Sequence, residues 1–208
     1  MREQKKFIKF GNNLNERYIM NYDLEKMKEL QELAIKMNRL GKELGFHNIH
    51  DKDKWKEAIV GGILNDTVFD KSTGEEKGAD ARNNVTGDLH EYKGSELLTE
   101  RDFHAFMEAV VGGTTTKRTS MTYNNGYCRE NVESYRSIRH YNTVWYGAQL
   151  IAITWVYSDN VCNDLMKRVI LTENGKKYKS TNGNGVGVHY ENGGVREGEI
   201  VYLNDIRK

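Results

Sequence analysis

The chain has 208 residues, of which 29% are charged and 38% are apolar, and its formal net charge at neutral pH is +1. This length allows one domain to bury a sizeable core. The near-neutral balance excludes a globally basic protein, so any nucleic-acid surface must come from local clusters of Lys and Arg. No stretch approaches the ~18 apolar residues that a transmembrane helix needs.

The two cysteines, Cys128 and Cys162, lie far apart and belong to no CxxC motif. Their spacing predicts free thiols in a reducing compartment and argues against a disulfide framework or a zinc site. The N-terminal segment carries charges but lacks the apolar core of a signal peptide. We therefore expect a soluble, cytoplasmic protein.

Residues 23–44 have the clearest helical pattern in the chain. Asp23 is a suitable N-cap, apolar residues recur at helical spacing, and Gly41 and Gly45 are suitable stop signals. Such a helix serves either in dimerisation or DNA clamping, or as a scaffold packed on the core. The amphipathic pattern favours the scaffold.

Residues 53–64 predict a second helix that is apolar nearly all round, with Glu57 as the one acid in an apolar stripe. Its carboxylate either reaches solvent at the edge of the stripe or faces a metal or a basic group. Beyond this helix, Val68 and Phe69 are candidates for the start of a first strand.

A hairpin with chemically useful side chains is predicted next. Asp80 opens a strand, residues 83–88 supply turn residues, and residues 89–93 form the returning strand. Glu91 and Lys93 share a face because they are two apart on a strand. Closing the hairpin brings Asp80 to that same face. Asp66, Glu75 and Lys77 match the same pattern of an acid followed by Glu-x-Lys. Glu75 and Lys77 lie in a turn-rich segment, so the match formed by Asp80, Glu91 and Lys93 is preferred.

A capping box, Thr99-x-x-Asp102, opens a third helix that runs through Val111. Residues 114–127 then predict a polar loop or edge hairpin with a basic pair, Lys117 and Arg118.

Residues 129–146 predict a helix with a basic stripe that spans about 80° of arc. The stripe consists of Arg129, Arg136, Arg139, His140 and Thr143. A solvated face and a phosphate-contacting face explain this stripe equally well.

The run at residues 150–157 is β-branched and aromatic, and it predicts a central strand buried on both faces. From Asn163 onward, short strand candidates alternate with Asn-Gly steps at 174–175, 182–183, 184–185 and 192–193. This pattern predicts a run of hairpins.

Two carboxylates and an amine on one strand pair suit the hydrolysis of a phosphodiester. Carboxylate oxygens are ligands that Mg²⁺ prefers, and the metal stabilises charge and activates water. The lysine orients the attacking water or helps to deprotonate it, and it offsets negative charge. A structural salt-bridge cluster is the competing explanation.

The arrangement around this hairpin resembles a known family. A helix with Glu57 precedes Gly-Ala-Asp80, a ten-residue interval and Glu91-Tyr-Lys93. A helix follows, and then a hydrophobic strand that comes after the basic-aromatic helix predicted over residues 129–146. Over residues 53–157 this order resembles the PD-(D/E)XK nuclease superfamily, and its layout is most similar to type II restriction endonucleases. Ala79 stands where the family has proline.

The resemblance implies that Asp80 and Glu91 bind Mg²⁺, for which Mn²⁺ substitutes, that Lys93 is the catalytic lysine, and that Glu57 is an auxiliary acid. It implies cleavage of double-stranded DNA to leave a 5′-phosphate and a 3′-hydroxyl. A homodimer is expected because a duplex has two strands. The alternatives are a repair, recombination or phage DNA-processing nuclease of the same fold, a DNA-binding protein without catalysis, and a protein-interaction domain that uses the N-terminal helix.

The expected fold is α/β (α+β): a restriction-endonuclease-like core with a mixed central sheet flanked by helices. One nuclease domain would comprise an N-terminal helical extension (1–50), a catalytic core (51–160) and a β-hairpin tail (161–208) with DNA-recognition elements. The candidate DNA-binding residues are Lys117, Arg118, Arg129, Arg136, Arg139, His140, Lys176, Lys177 and Lys179.

Overall fold

The computed structural model describes residues 23–50, 53–70, 78–124, 128–173 and 184–207. Within these ranges the helices are α1 (Leu24–Glu43), α2 (Lys54–Leu64), α3 (Glu100–Val110), α4 (Arg129–Ser134) and α5 (Ser158–Glu173). The strands are β1 (Asp66–Val68), β2 (Ala81–Asn83), β3 (Leu89–Leu97), β4 (Thr116–Tyr123), β5 (Arg139–Tyr146), β6 (Gln149–Val156), β7 (Asn184–Glu191), β8 (Gly194–Val195) and β9 (Gly198–Leu203).

The central sheet is mixed and has the order β1-β2-β3-β5-β6-β9. Only the β3–β5 pairing in it is parallel. A smaller sheet has the order β4-β7-β8. One apolar cluster joins α2 to the central sheet through Val60, and a larger one includes residues of α3, α5 and the smaller sheet. The mixed α/β architecture with flanking helices is therefore confirmed.

The β2–β3 hairpin forms where the sequence predicts it. The side chain of Asn83 accepts hydrogen bonds from the backbone N–H groups of Val85 and Thr86, which bends the chain after β2. Gly87 completes the turn with a φ of 76°, a conformation that glycine adopts at little cost. Ala81 then lies opposite His90 in the ladder. Local turn chemistry therefore fixes the register of the two strands.

The helix predicted from Asp23 is confirmed as α1, and the Asp23 carboxylate accepts a hydrogen bond from the Glu25 N–H at 3.0 Å. Its interpretation as a scaffold packed on the core is wrong for most of its length. Gly41 is buried against Ile49 near the C-terminal end, whereas residues 25–36 are exposed.

The third predicted helix is confirmed as α3, where the Thr99 side chain caps the Asp102 N–H at 3.1 Å. The predicted buried strand is confirmed as β6, although it lies one strand from the sheet edge. Residues 116–123, expected in a loop or edge hairpin, form the edge strand β4. Cys128 and Cys162 are free thiols, as predicted. Within the described ranges no helix is long and apolar enough to cross a membrane.

The single helix predicted over residues 129–146 is wrong. Helix α4 spans only Arg129–Ser134, a 3₁₀ turn follows at Tyr135–Ser137, and β5 begins at Arg139. The β5 segment is rich in aromatic and β-branched residues, and it pairs with β3 on one side and β6 on the other. Two ladders and burial between two layers outweigh the local helical spacing.

The run of hairpins predicted from Asn163 is wrong at its start, because α5 occupies residues 158–173. Val161, Leu165 and Val169 recur at intervals of four and are all buried, which makes this an amphipathic helix. The Asn192–Gly193 turn is confirmed, with positive φ at both residues. The 184–185 step lies inside β7, whereas 174–175 and 182–183 lie outside the described residues. The C-terminal segment is predicted to be a β-hairpin tail outside the core, but β9 pairs with β6 in the central sheet.

Candidate active site

The hairpin places three predicted site residues together on one face of the central sheet. Asp80 immediately precedes β2, and its backbone N–H donates to the carbonyl of His90 at 2.9 Å. Its carboxylate accepts a hydrogen bond from the backbone N–H of Tyr92 at 2.7 Å. The Lys93 amine contacts the Glu91 carboxylate directly. Asp80, Glu91 and Lys93 therefore form one polar cluster, as the strand spacing predicts.

Helix α2 brings a fourth predicted residue to this cluster. The Glu57 carboxylate accepts a hydrogen bond from the Lys54 amine at 2.6 Å, and that amine also donates to the carbonyl of Phe69 at 3.0 Å. The Phe69 N–H in turn donates to the carbonyl of Asp80 at 2.8 Å. Glu57 lies close enough to Asp80 for the two charges to interact.

Lys54 is a site residue that the sequence alone did not indicate. Lysines on helices usually lie in solvent, yet this residue is only 6% exposed. Its burial is stabilised by the Glu57 carboxylate and a backbone carbonyl. No local pattern announces this contact, because the carbonyl belongs to a residue fifteen positions later.

The acids of the site retain protons unusually well. Burial, together with the nearby charge of Asp80, raises the pKa of Glu91 to about 8 and that of Glu57 to about 7. Burial also raises the pKa of Asp80, although Lys93 and the Tyr92 N–H oppose the shift. Within the described ranges no N–H or hydroxyl donor reaches the buried Glu91 Oε2, and the Glu91 and Asp80 side chains hydrogen-bond to each other when one of them holds a proton. When Glu57, Asp80 and Glu91 are all ionised, their negative charges therefore exceed the positive charges of Lys54 and Lys93.

Lys93 lies between the acids and an aromatic ring. Burial acts to lower the pKa of its amine, but the Glu91 and Asp80 carboxylates outweigh burial and raise that pKa. The amine also lies 5.3 Å from the centre of the Tyr123 ring on β4, which favours the charged form. Lys93 is therefore a cation at neutral pH.

The Tyr123 ring is held by His140, which is fully buried. The Nε2–H of His140 donates to the carbonyl of Tyr135 at 2.8 Å, so its Nδ1 accepts from the Tyr123 hydroxyl at 2.8 Å. Burial lowers the pKa of His140 to about 4, which keeps the ring neutral. The predicted DNA-contacting role of His140 is wrong, because this side chain is enclosed by protein.

The remaining basic residues of the predicted stripe do not form one face. Arg136 makes ion pairs with Glu133 at 2.9 Å and with Asp159 at 2.7 Å. Arg139 makes an ion pair with Asp88 at 2.8 Å. The stripe is divided among α4, the 3₁₀ turn and β5, with Arg129 on α4. Its geometry gives no continuous phosphate-binding helix.

The basic pair on β4 is also divided. Lys117 makes an ion pair with Asp102 of α3, while the exposed Arg118 lies across Gly187 of β7 on the other face of the strand. Lys176, Lys177 and Lys179 lie outside the described residues.

Asp66 belongs to the alternative match with Glu75 and Lys77, and its contacts are those of a structural residue. Its side chain is fully buried and accepts hydrogen bonds from His90 Nδ1 at 2.6 Å, from the Asn83 amide at 2.7 Å and from the Tyr92 hydroxyl. These contacts tie β1 to β3 across β2. Glu75 and Lys77 lie outside the described residues.

Comparison with known proteins adds no relative to this description. No protein-family model and no curated protein sequence matches the chain. In the part of the chain that the structure describes, no three His, Cys, Asp or Glu side chains are grouped so that they could hold a metal ion. The arrangement of Asp80, Glu91, Lys93 and Glu57 is therefore the basis for the functional proposal.

Proposed function

We propose that this protein is a Mg²⁺-dependent endonuclease of the PD-(D/E)XK superfamily that hydrolyses phosphodiester bonds of double-stranded DNA. The observation that carries the proposal is the cluster of three carboxylates and two amines at the β2–β3 hairpin, in which the Glu91 and Asp80 carboxyl groups lie within hydrogen-bonding reach of each other. A purely structural salt-bridge cluster would be expected to balance its charges, whereas this one has one more carboxylate than amines.

The residues present fit a Mg²⁺ ion. Mg²⁺ takes one or two carboxylates from a protein and completes its shell with water and substrate phosphate, so Asp80 and Glu91 form a sufficient donor set. A positive charge near Glu91 Oε2 would stabilise the ionised carboxylates and lower the raised pKa values of Glu91 and Asp80. A bound Mg²⁺ supplies charge stabilisation and lowers the pKa of a coordinated water.

The protein groups have separate roles in this proposal. Lys93 is protonated, so it stabilises negative charge on the phosphate and orients the attacking water rather than removing its proton. Glu57, with a pKa of about 7, is suited to exchanging a proton with solvent near neutral pH. Lys54 holds Glu57 against the cluster.

The finer family assignment rests on the order of elements. Helix α2 precedes the acid-bearing hairpin, α3 follows it, and β5 returns beside β3 in a mixed sheet. The order of α2, hairpin and α3 is the one that the resemblance implies, whereas β5 lies in the segment where the resemblance has a basic-aromatic helix. Within the proposal we favour a sequence-specific type II restriction enzyme, with products that carry a 5′-phosphate and a 3′-hydroxyl.

The test is cleavage of plasmid DNA with Mg²⁺ by wild type and by Asp80→Asn and Lys93→Ala. The matched control is Glu96→Gln, because Glu96 is an exposed acid on the opposite face of the same strand. We expect cleavage by wild type and the control, and loss of at least about 10²-fold in the two site variants.

The pattern of products separates the two kinds of nuclease. Discrete fragments support a restriction enzyme, whereas a smear or a preference for branched DNA supports a processing nuclease. Absence of cutting on unmodified, methylated, supercoiled and branched DNA would overturn the proposal. Normal cutting by Asp80→Asn would reject this site while leaving the activity in place.

A further inference from the structure

The described residues leave an apolar stripe with coiled-coil spacing exposed along helix α1 and its C-cap. Residues 30, 33, 37, 40 and 44 are all Leu or Met and alternate steps of three and four. Leu30 is 68% exposed, Leu33 57%, Leu40 44% and Leu44 70%. Exposed apolar stripes of this kind mark interaction sites in folded proteins.

The domain itself covers the side of this helix that adjoins the stripe near its C-terminal end. Gly41 is buried, and a Cβ added there would lie 2.5 Å from the Ile49 Cβ. Position 41 flanks the stripe, and contact with the domain at this position leaves Leu40 and Leu44 exposed. Among the described residues, nothing buries the four leucines of the stripe.

We propose that this stripe forms a parallel two-stranded coiled coil between two copies of the chain. With Leu30 and Leu33 at the a and d positions, the flanking g positions are Glu29, Lys36 and Glu43, and the e positions are Ala34 and Gly41.

Charge decides the orientation of the pair. In a parallel pair Glu29 and Lys36 face the small, neutral positions Ala34 and Gly41 of the partner, and Glu43 has no e residue of α1 opposite it. In an antiparallel pair g meets g, which sets Lys36 against Lys36 and Glu29 against Glu43. Like charges at these positions are unfavourable, so the sequence disfavours the antiparallel pair.

The parallel arrangement also places both domains at the same end of the coil. This step rests on the proposed function: a duplex has two strands, and two active sites held side by side suit it. The stripe covers only about two heptads, so the helices alone give a modest association. We expect a monomer–dimer equilibrium with a dissociation constant in about the micromolar range.

The test measures the mass of the full-length protein by light scattering and sedimentation, without DNA or Mg²⁺, up to about 100 µM. The disrupting variant is Leu33→Glu/Leu40→Glu. The matched control is Ile35→Glu, because Ile35 is 62% exposed but lies on the opposite face of α1. We expect dimers for wild type and the control, and a folded monomer for the double variant, with the melting temperature that wild type has at concentrations too low for dimerisation.

Orientation is tested with Leu33→Cys in a Cys128→Ser background. A parallel coil places the two introduced thiols at the same level, so oxidation gives a cross-linked dimer. A dimer that forms no cross-link overturns the parallel arrangement. A monomeric wild type overturns the proposal, as does equal disruption by Ile35→Glu. If wild type is monomeric and the double variant melts at a lower temperature, the stripe packs against another part of the same chain.

The mass of the protein is measured without DNA, so its outcome does not depend on whether the nuclease proposal is correct. If the protein cuts DNA, the monomeric variant is expected to nick one strand and to lose at least about tenfold in double-strand cleavage at low enzyme concentration.

Discussion

The Asp80 carboxylate accepts a 2.7 Å hydrogen bond from the backbone N–H of Tyr92, the residue between Glu91 and Lys93. The first acid of the site is therefore fixed to the backbone of the strand that carries the second acid and the lysine. A slip of one residue in the β2–β3 register would turn Glu91 and Lys93 to the other face. The geometry of the proposed active site thus depends on the hairpin register.

Glu91→Gln is expected to stabilise the protein at alkaline pH while removing activity. Because the pKa of Glu91 rises from 4.5 to about 8 on folding, the folded state binds more protons than the unfolded state across that window. The contribution of Glu91 to the free energy of unfolding is therefore present below pH 4.5 and is lost as the pH rises towards 8.

At pH 8 we expect Glu91→Gln to exceed wild type by roughly 2–4 kcal/mol in urea unfolding without metal. At pH 4.5 the two proteins should differ little, since Glu91 is protonated in folded wild type. A difference that is independent of pH would contradict the assigned origin of the stabilisation.

Mg²⁺ binding is expected to strengthen with pH. The ion requires ionised carboxylates, so it competes with the protons held by Glu91 and Glu57, whose pKa values are about 8 and 7. Calorimetric titration should show an affinity at least about tenfold higher at pH 8 than at pH 6. Glu57→Gln is expected to reduce this dependence, whereas the Glu96→Gln control should leave it unchanged.

Tyr123 is expected to position Lys93 through its ring and to stabilise the fold through its hydroxyl. Tyr123→Leu removes the ring beside the amine, which should lower the cleavage rate about tenfold and lower the pKa of Lys93 in the pH–rate profile. Tyr123→Phe keeps the ring and leaves His140 Nδ1 without its donor. It should lower stability by about 1–3 kcal/mol and preserve the pH profile. Identical pH profiles for the Leu and Phe variants would reject a positioning role for the ring.

Asp66 is expected to matter for stability rather than for chemistry. Asp66→Ala leaves the buried donors of His90 and Tyr92 without their shared acceptor, and should lower the free energy of unfolding by about 3–5 kcal/mol. The exposed ion pair of Asp88 with Arg139 offers the control, since Asp88→Ala should cost at most about 1 kcal/mol. Chemical denaturation at pH 7 measures both changes. A small effect of Asp66→Ala would show that the buried cluster is not stabilising.

The sequence by itself determined the hairpin, the caps of α1 and α3, and the buried strand β6. These features depend on neighbouring residues: the turn at Asn83, the side chains of Asp23 and Thr99, and a continuous apolar run. It also determined that Glu91 and Lys93 share a face, because the period of a strand is two.

Only the tertiary structure decided what surrounds the hairpin. Residues 139–146 form a strand because they pair with β3, about fifty positions earlier, and no local spacing encodes such a partner. Lys54 and Tyr123 reach the site for the same reason, and His140 is enclosed instead of facing solvent. Local sequence patterns determined that Glu91 and Lys93 share a face. Long-range packing determined the protonation and the neighbours of these groups, and which face of α1 the described residues leave exposed.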